Sequence, residues 1–414
     1  MGIKNRLKVM LFLQYFVWGS WFTTLGAYII GTLHQDGSAV GYVFSSKGLA
    51  SIIMPCLIGI IADKFISAKY LYMLCHGICA VALFYAASVT DIDLLYWMIL
   101  INMFAFMPTI ALSNSLSYFS LDKNNLDSTT VFPKVRVYGT IGFIAAMWTI
   151  NLLDYKLSNA QLYVASGASV VLVLYAASLP YVPVIKKQSA KWTSRLGLDA
   201  FVLFKNRTMV VFFLFAMLLG VVLQITNMFG AAFLQDFNKV DAYKDSLVVN
   251  YSIILLSLSQ MAEVGFILTI PFFLKRFGIK RVMIISMLAW TLRFGLFAFG
   301  DPSPIGFVLL ILSMIAYGCA FDFFNISGSI FIEKEVNPNI RASAQGLFMT
   351  MVNGVGAYIG SIGSGKIIDM YTHNGVRDWQ TIWLIFASYA LVLAILFFFF
   401  FNYKPNDKVV TMPQ

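Results

Sequence analysis

The stretch Tyr317–Phe331, YGCAFDFFNISGSIF, decides how the rest of the chain is read. It lies in an apolar segment long enough to cross a bilayer, yet it carries Asp322 and Asn325. A charge at the bilayer centre costs about 2.5–3.5 kcal/mol on insertion scales, so an acid kept there marks a functional site. A second acid, Glu263, interrupts another apolar segment, LSLSQMAEVGFIL (Leu256–Leu268). Together the two carboxyls mark a polar path through a bundle of membrane helices.

The surrounding composition supports that setting. Of 414 residues, 59% are hydrophobic and 12% charged, and mean hydropathy is +0.79. A soluble domain carries roughly 25% charged residues. The net charge of +10 would suggest nucleic acid in a soluble protein, but here the bases fall in short loops, so no nucleic-acid partner is expected. Cys56, Cys75, Cys79 and Cys319 all lie in apolar segments, where cysteine is a small hydrophobe. No disulfide, metal or cofactor is expected. His34, His76 and His373 do not cluster in the sequence. The first apolar segment is longer than a signal-peptide core and lacks a small-residue cleavage site, so it is expected to stay as the first span.

A spanning helix needs ~20 apolar residues, and reading at that length gives about twelve candidates. They start near Val9, Val40, Tyr70, Leu94, Val137 and Gln161, then near Met209, Asn250, Val282, Ile305, Ala342 and Thr381. The only extended polar connection divides them: residues 1–181 form an N-terminal bundle, 182–208 a linker and 209–414 a C-terminal bundle. Most of the 29 basic residues fall in alternate loops, among them Lys64, Lys69, Lys186, Lys187, Lys275 and Arg276. The positive-inside rule then puts both termini in the cytoplasm. The acids favour the other loops, and Glu263 and Asp322 are left at membrane depth.

An internal repeat supports two halves. GIIADKFISAK (Gly59–Lys69) and PFFLKRFGIKR (Pro271–Arg281) each read as a tight basic loop after the second helix of a half. Parallel repeats of this kind are the plan of the major facilitator superfamily, whose G-x-x-x-D-[RK] signature resembles Gly59, Asp63 and Lys64. Asp63 reads as a gating-loop residue. The expected fold is an all-α membrane protein of about twelve transmembrane helices in two pseudo-symmetric bundles of about six.

Positions three or four apart share a helix face. Arg136, Thr140 and Phe143 form one such stripe, Gln224 and Asn227 another, Gln260 and Glu263 a third. Tyr317 and Phe321 form a fourth, beside Asp322. Rings can stack on a flat heterocycle, and amides can pair with base edges or hydroxyls. Competing readings stay open. Polar residues in spans also tie helices together, and Gln224, Asn227 and Thr140 fit that role. Tyr317, Phe143 and Phe321 suit ordinary packing. Asp322 and Glu263 could pair with Arg136, Lys47 or Arg293. The sequence has no P-loop, no Ser-His-Asp arrangement and no HExxH, so no enzyme is expected. A carrier driven by an ion gradient instead needs a titratable group at membrane depth.

Several stretches resemble the bacterial nucleoside:proton symporters of the major facilitator superfamily. They include LQYFVWGSWFTTLGAY (Leu13–Tyr28), FMPTIALSNSLSY (Phe106–Tyr118), RVYGTIGFI (Arg136–Ile144), LGLDAFVLFKN (Leu196–Asn206), LQITNMFG (Leu223–Gly230) and YGCAFDFFNISGS (Tyr317–Ser329). Within the family, Ser259–Lys280 and Arg341–Ala357 resemble the branch that carries xanthosine. The resemblance implies proton-coupled import of nucleosides by a monomer in the bacterial inner membrane. It implies substrate contacts from Arg136, Thr140, Phe143, Gln224, Asn227, Gln260, Glu263, Tyr317 and Phe321, with Asp322 and Glu263 in proton coupling. Two departures stand out: Ala231 follows Gly230 where the family tends to asparagine, and Lys134 follows Phe132-Pro133 where it tends to a second proline. A non-transporting nucleoside sensor, or a carrier for another polar solute such as a sugar, stays as an alternative.

Overall fold

The computed structural model describes residues 2–64, 66–182 and 198–403, with the side chains of these residues other than 55–64, 129, 198 and 339. Backbone groups in hydrocarbon must satisfy one another, so long apolar runs fold as helices. In chain order these are α1 (Ile3–Gly19), α2 (Leu25–Gly31), α3 (Gly37–Lys64), α4 (Ala68–Ser88), α5 (Ile92–Lys123), α6 (Ser128–Leu152) and α7 (Ala160–Ala177). After the linker come α8 (Arg207–Leu223), α9 (Ile225–Asp236), α10 (Ser252–Ile267), α11 (Ile270–Phe299) and α12 (Pro304–Glu335). The last are α13 (Arg341–Met349), α14 (Ala357–Met370) and α15 (Trp379–Phe400). A small hairpin, β1 (Thr372–His373) with antiparallel β2 (Val376–Arg377), joins the last two.

Among the described residues, 8 helical stretches are long and apolar enough to cross a membrane: α4, α5, Thr130–Leu152 of α6, α7, the run Arg207–Lys239, α11, α12 and α15. Their starts are set locally. Asp91 caps α5 through the Leu94 amide, Asn206 caps α8, and Asp378 caps α15. Ser303 caps α12, with Pro304 in the first turn where its missing N–H costs nothing.

Three rods are interrupted. α1 and α2 are separated by Ser20–Thr24, α8 and α9 meet at Gln224, and a π-helical stretch, Thr350–Gly356, joins α13 to α14. The segment Pro271–Arg281 corrects the expectation of a loop, since α11 already begins at Ile270. Phe273 packs on Phe323, with ring centroids 4.9 Å apart, and holds this first arm on the bundle while Lys275 and Arg276 stay exposed. The break comes at Gly278, whose φ of 75° suits glycine alone. Arg136, expected at the loop edge, lies well inside α6. The side chains of Gly59, Asp63 and Lys64, most of the linker and residues 404–414 lie outside the described residues.

α1 packs on α6, α4 between α5 and α7, α11 between α12 and α15, and α10 on α12. α3 lies along α14, α2 against α9, and α6 against α10. These last contacts join the helices before the linker to those after it. Among the described residues, the hydrogen bonds across that divide all lie toward one end, opposite the start of α1. Asp369 accepts from the Gly37 amide at 2.6 Å, the Ser38 amide at 2.9 Å and the Ser38 hydroxyl. Asn151 donates to the Asn250 carbonyl and accepts from the Ile253 amide, Lys156 donates to the carbonyls of Val249 and Asn250, and Trp148 donates to Ser257.

Close approach relies on glycine. A Cβ on Gly142 would sit 2.1 Å from the Phe12 carbonyl oxygen, whereas one on Gly167 would meet nothing within 4 Å. Gly142→Ala is therefore expected to cost about 1–3 kcal/mol, as overpacking does. Gly167→Ala should stay within about 0.5 kcal/mol. Thermal unfolding of the detergent-purified variants separates the two; equal melting temperatures would contradict the α1–α6 contact.

Candidate functional site

The interrupted rods and the polar stripes converge on one cavity of about 770 Å³, partly open to solvent. Arg136, Thr140 and Phe143 of α6 line it, as do Gln224 at the α8–α9 break and Asn227 of α9. Gln260 and Glu263 of α10 and Tyr317 and Phe321 of α12 complete the predicted set on the same wall. A far smaller void adjoins it, sharing Asn227, Gln260 and Tyr317.

Five further residues line it: Tyr15, Trp18, Phe22 and Asn353, which the sequence reading did not single out, and Lys47, which it offered only as a possible partner of the two acids. Tyr15, Trp18 and Phe22 follow helical spacing along the first span. In a chain with 16% aromatic residues, that stripe is indistinguishable from lipid-facing packing. Asn353 sits in the π-helical stretch, where ordinary helical spacing does not apply.

The cations are held in different ways. Arg136 donates to the Tyr15 hydroxyl at 2.6 Å, and its guanidinium lies 4.2 Å from the centre of that ring. Gly139, one turn of α6 away, leaves room for this pair; a Cβ there would stand 2.8 Å from both Arg136 Nη1 and Tyr15 Cδ2. Arg293 of α11 is fully buried, donates to Ser259 Oγ at 3.2 Å and to the Ser313 carbonyl at 3.0 Å, and lies 4.5 Å from the Tyr317 ring centre. It thus fixes Tyr317, which stacks on Phe321 with centroids 5.6 Å apart. Also lining the cavity, Trp18 meets Phe143 edge-on at 6.1 Å and Phe22 at 5.1 Å. Two aromatic faces therefore look into a space bordered by amides.

The two acids take different positions. Glu263 is on the cavity wall. Asp322 is buried beside it but not on that wall, because Tyr317 and Phe321 occupy the cavity face of α12. Gly318, one turn before Asp322, presses against α10: a Cβ there would meet the Glu263 amide nitrogen at 2.7 Å. Asp322 therefore follows the face of α12 that touches the helix of Glu263. Neither acid belongs to an ion pair among the described residues, which removes the reading that both are tied to Arg136, Lys47 or Arg293. Asp322 Oδ2, Gln224 Oε1 and Gln260 Oε1 are buried without a hydrogen-bond partner. Such groups are costly unless a ligand, water or proton satisfies them. Ala231 and Lys134, the departures from the expected pattern, are not on the wall.

Known proteins resemble this chain over nearly its whole length. The family profile described as nucleoside H+ symporter matches residues 1–406. Xanthosine permease of Escherichia coli (strain K12) is 66% identical over 411 residues, covering 99% of this chain and 98% of the relative. Nucleoside permease NupG of the same organism is 56% identical over 405 residues, covering 98% and 97%. A crystal structure of nucleoside transporter NupG superposes with a TM-score of 0.93 at 56% identity, covering 98% of this chain and 100% of that one.

The geometry makes Arg293 a support for the ring it underlies. Arg293→Met strips the Ser313 carbonyl and Ser259 of their donor and is expected to lower stability by about 1–3 kcal/mol. A melting temperature equal to that of the unsubstituted protein would contradict this support.

Proposed function

The chain belongs to the nucleoside H+ symporter family, and from that premise we propose that it imports nucleosides, xanthosine among them, together with protons across a bacterial inner membrane. One observation carries the reading. Amides, a tethered guanidinium and aromatic faces from helices on both sides of the linker surround one cavity of about 770 Å³. That lining matches a flat base bearing a hydroxylated sugar. Phe143, Tyr317 and Phe321 offer stacking surfaces. Gln224, Asn227, Gln260 and Thr140 offer donors and acceptors to base edges and hydroxyls. Arg136, held by Tyr15, presents its remaining N–H groups to a carbonyl or hydroxyl of the solute.

Glu263 and Asp322 are assigned to proton coupling. They lie on helices in contact, at membrane depth, and neither forms an ion pair among the described residues. A carboxylate in such a place is tolerated when it is paired or protonated. Proton uptake on one side and release on the other then links the gradient to the state of the cavity.

The motion assigned to the protein is rocking of residues 1–181 against residues 209–414 about this central site. The architecture proposed is about twelve spans, the 8 long ones joined by α1 with α2, by α3, by α10, and by α13 with α14. In favour of repeated halves, the first rod of each is interrupted, at Ser20–Thr24 and at Gln224. Placing the termini in the cytoplasm puts the Asp369 and Asn151 links at the outer end, so the form described is closed outside. The working unit proposed is a monomer.

Asp322→Asn is expected to abolish accumulation of labelled nucleoside against its gradient, as a protonophore does with the unsubstituted protein. Unchanged accumulation would remove Asp322 from the coupling role. Gln260→Ala or Phe143→Ala should raise the apparent KM about tenfold, the value of one hydrogen bond or stacked ring of about 1.4 kcal/mol. An unaltered KM would assign them to helix packing. Unlabelled nucleosides, and not sugars, should compete for uptake.

A further inference from the structure

Lys47 is the cavity cation to which no role has been given. It stands midway along α3, is 6% exposed and lines the cavity wall. The other two cations at this depth are engaged: Arg136 bonds to Tyr15, and Arg293 to Ser259 and Ser313. Among the described residues Lys47 has no ion pair and no hydrogen bond; its contact is the Phe22 ring, with Nζ 5.6 Å from the centroid. A buried ammonium with no counter-ion is strongly unfavourable, so its presence on the wall of a solvated cavity points to an anionic occupant.

Glu263 is on the same wall but is not its partner. If the occupant is a nucleoside, its sugar is neutral and any negative charge must lie on the base. Adenosine, cytidine and inosine have neutral bases at physiological pH. A 2,6-dioxopurine differs: its ring N–H, flanked by carbonyls, is acidic enough to ionise near neutrality, and the charge spreads over ring nitrogen and carbonyl oxygen. We propose that Lys47 is a specificity residue that selects nucleosides with such an acidic dioxopurine base by donating a charge-assisted hydrogen bond to the ionised ring. Trp18 and Phe22 border the same wall and supply flat apolar surface next to the charge. The assignment rests on the nucleoside reading of the cavity and adds to it the chemistry that tells one base from another.

The test compares labelled xanthosine with labelled inosine, an oxopurine nucleoside of similar shape and neutral base. Initial uptake rates are measured in cells lacking other nucleoside carriers, corrected for protein in the membrane, for the unsubstituted chain, Lys47→Met and Lys47→Arg. A charge-assisted hydrogen bond lost from one substrate only should lower the ratio of kcat/KM for xanthosine to that for inosine about tenfold or more in Lys47→Met. Lys47→Arg should recover most of the ratio. Lys47→Gln, which keeps a donor and removes the charge, gives the same reading if Lys47→Met fails to reach the membrane. An unchanged ratio, whether or not both rates fall, overturns the proposal. Uptake of inosine without xanthosine by the unsubstituted chain overturns it while leaving the nucleoside reading intact. Uptake of neither sinks both.

Discussion

A bilayer core contains no water to complete a hydrogen bond, and that single constraint orders this structure. Each backbone polar group must be satisfied within the protein, which turns the apolar runs into helices. The same constraint applies to side chains. Ser166 bonds to the Ala80 carbonyl, Ser286 to the Ala320 carbonyl, and Tyr389 to the Leu218 carbonyl, each tying two helices together. Some buried groups are left without a partner, among them His76 on α4 and Asn102 on α5, and several stand at or beside the cavity. Gln224, Gln260 and Asp322 carry buried unpaired oxygens, and Lys47 carries an unpaired charge. Each would be a defect in a packed core. Around a cavity they are groups that the proposed polar solute and proton would satisfy.

The helices hold this arrangement by alternating strict packing with local breaks. Close approach depends on missing side chains: Gly318 brings α12 against Ala262 and Glu263, and Gly220 brings α8 against Val352 of the π-helical stretch. These contacts fix Glu263 and Asn353 at the cavity. The breaks do the complementary task of turning side chains inward. Where α8 stops and α9 starts, Gln224 keeps right-handed helical angles and lines the cavity with Asn227. A continuous helix presents one stripe, whereas an interrupted one can present polar groups from two segments at the same depth.

Much of this was legible in the sequence because a polar residue in an apolar run is conspicuous. The stripes Arg136/Thr140/Phe143, Gln224/Asn227, Gln260/Glu263 and Tyr317/Phe321 all border the cavity, since their spacing already set them on one face. Tyr15, Trp18 and Phe22 were hidden for the opposite reason: aromatic residues are ordinary in a span. Lys47 was visible as a charge within a span, but only coordinates show that no carboxylate meets it. The arm Pro271–Phe277 was read as a loop because charge density suggested one. Its helix is held by Phe273 and Phe323, a contact between residues far apart in the chain.

The links between the helices before and after the linker differ in kind from those within each set. Within a set, large aromatic contacts dominate: Phe294 stacks on Trp383 at 5.8 Å, and Phe212 stacks on Phe348 at 5.3 Å. Across the divide, the hydrogen bonds run largely from side chains to helix ends. Asp369 accepts from the first amides of α3, where an anion also complements the helix dipole. Lys156 donates to the carbonyls of Val249 and Asn250 at the end of a single helical turn. Such bonds are directional and can be exchanged for water at the membrane surface with little net loss. A buried aromatic interface could not be opened so cheaply. Close glycine packing also joins the two sets, Gly26 against Met228 and Gly41 against Ser361, so the proposed rocking would have to part these contacts as well as the polar ones.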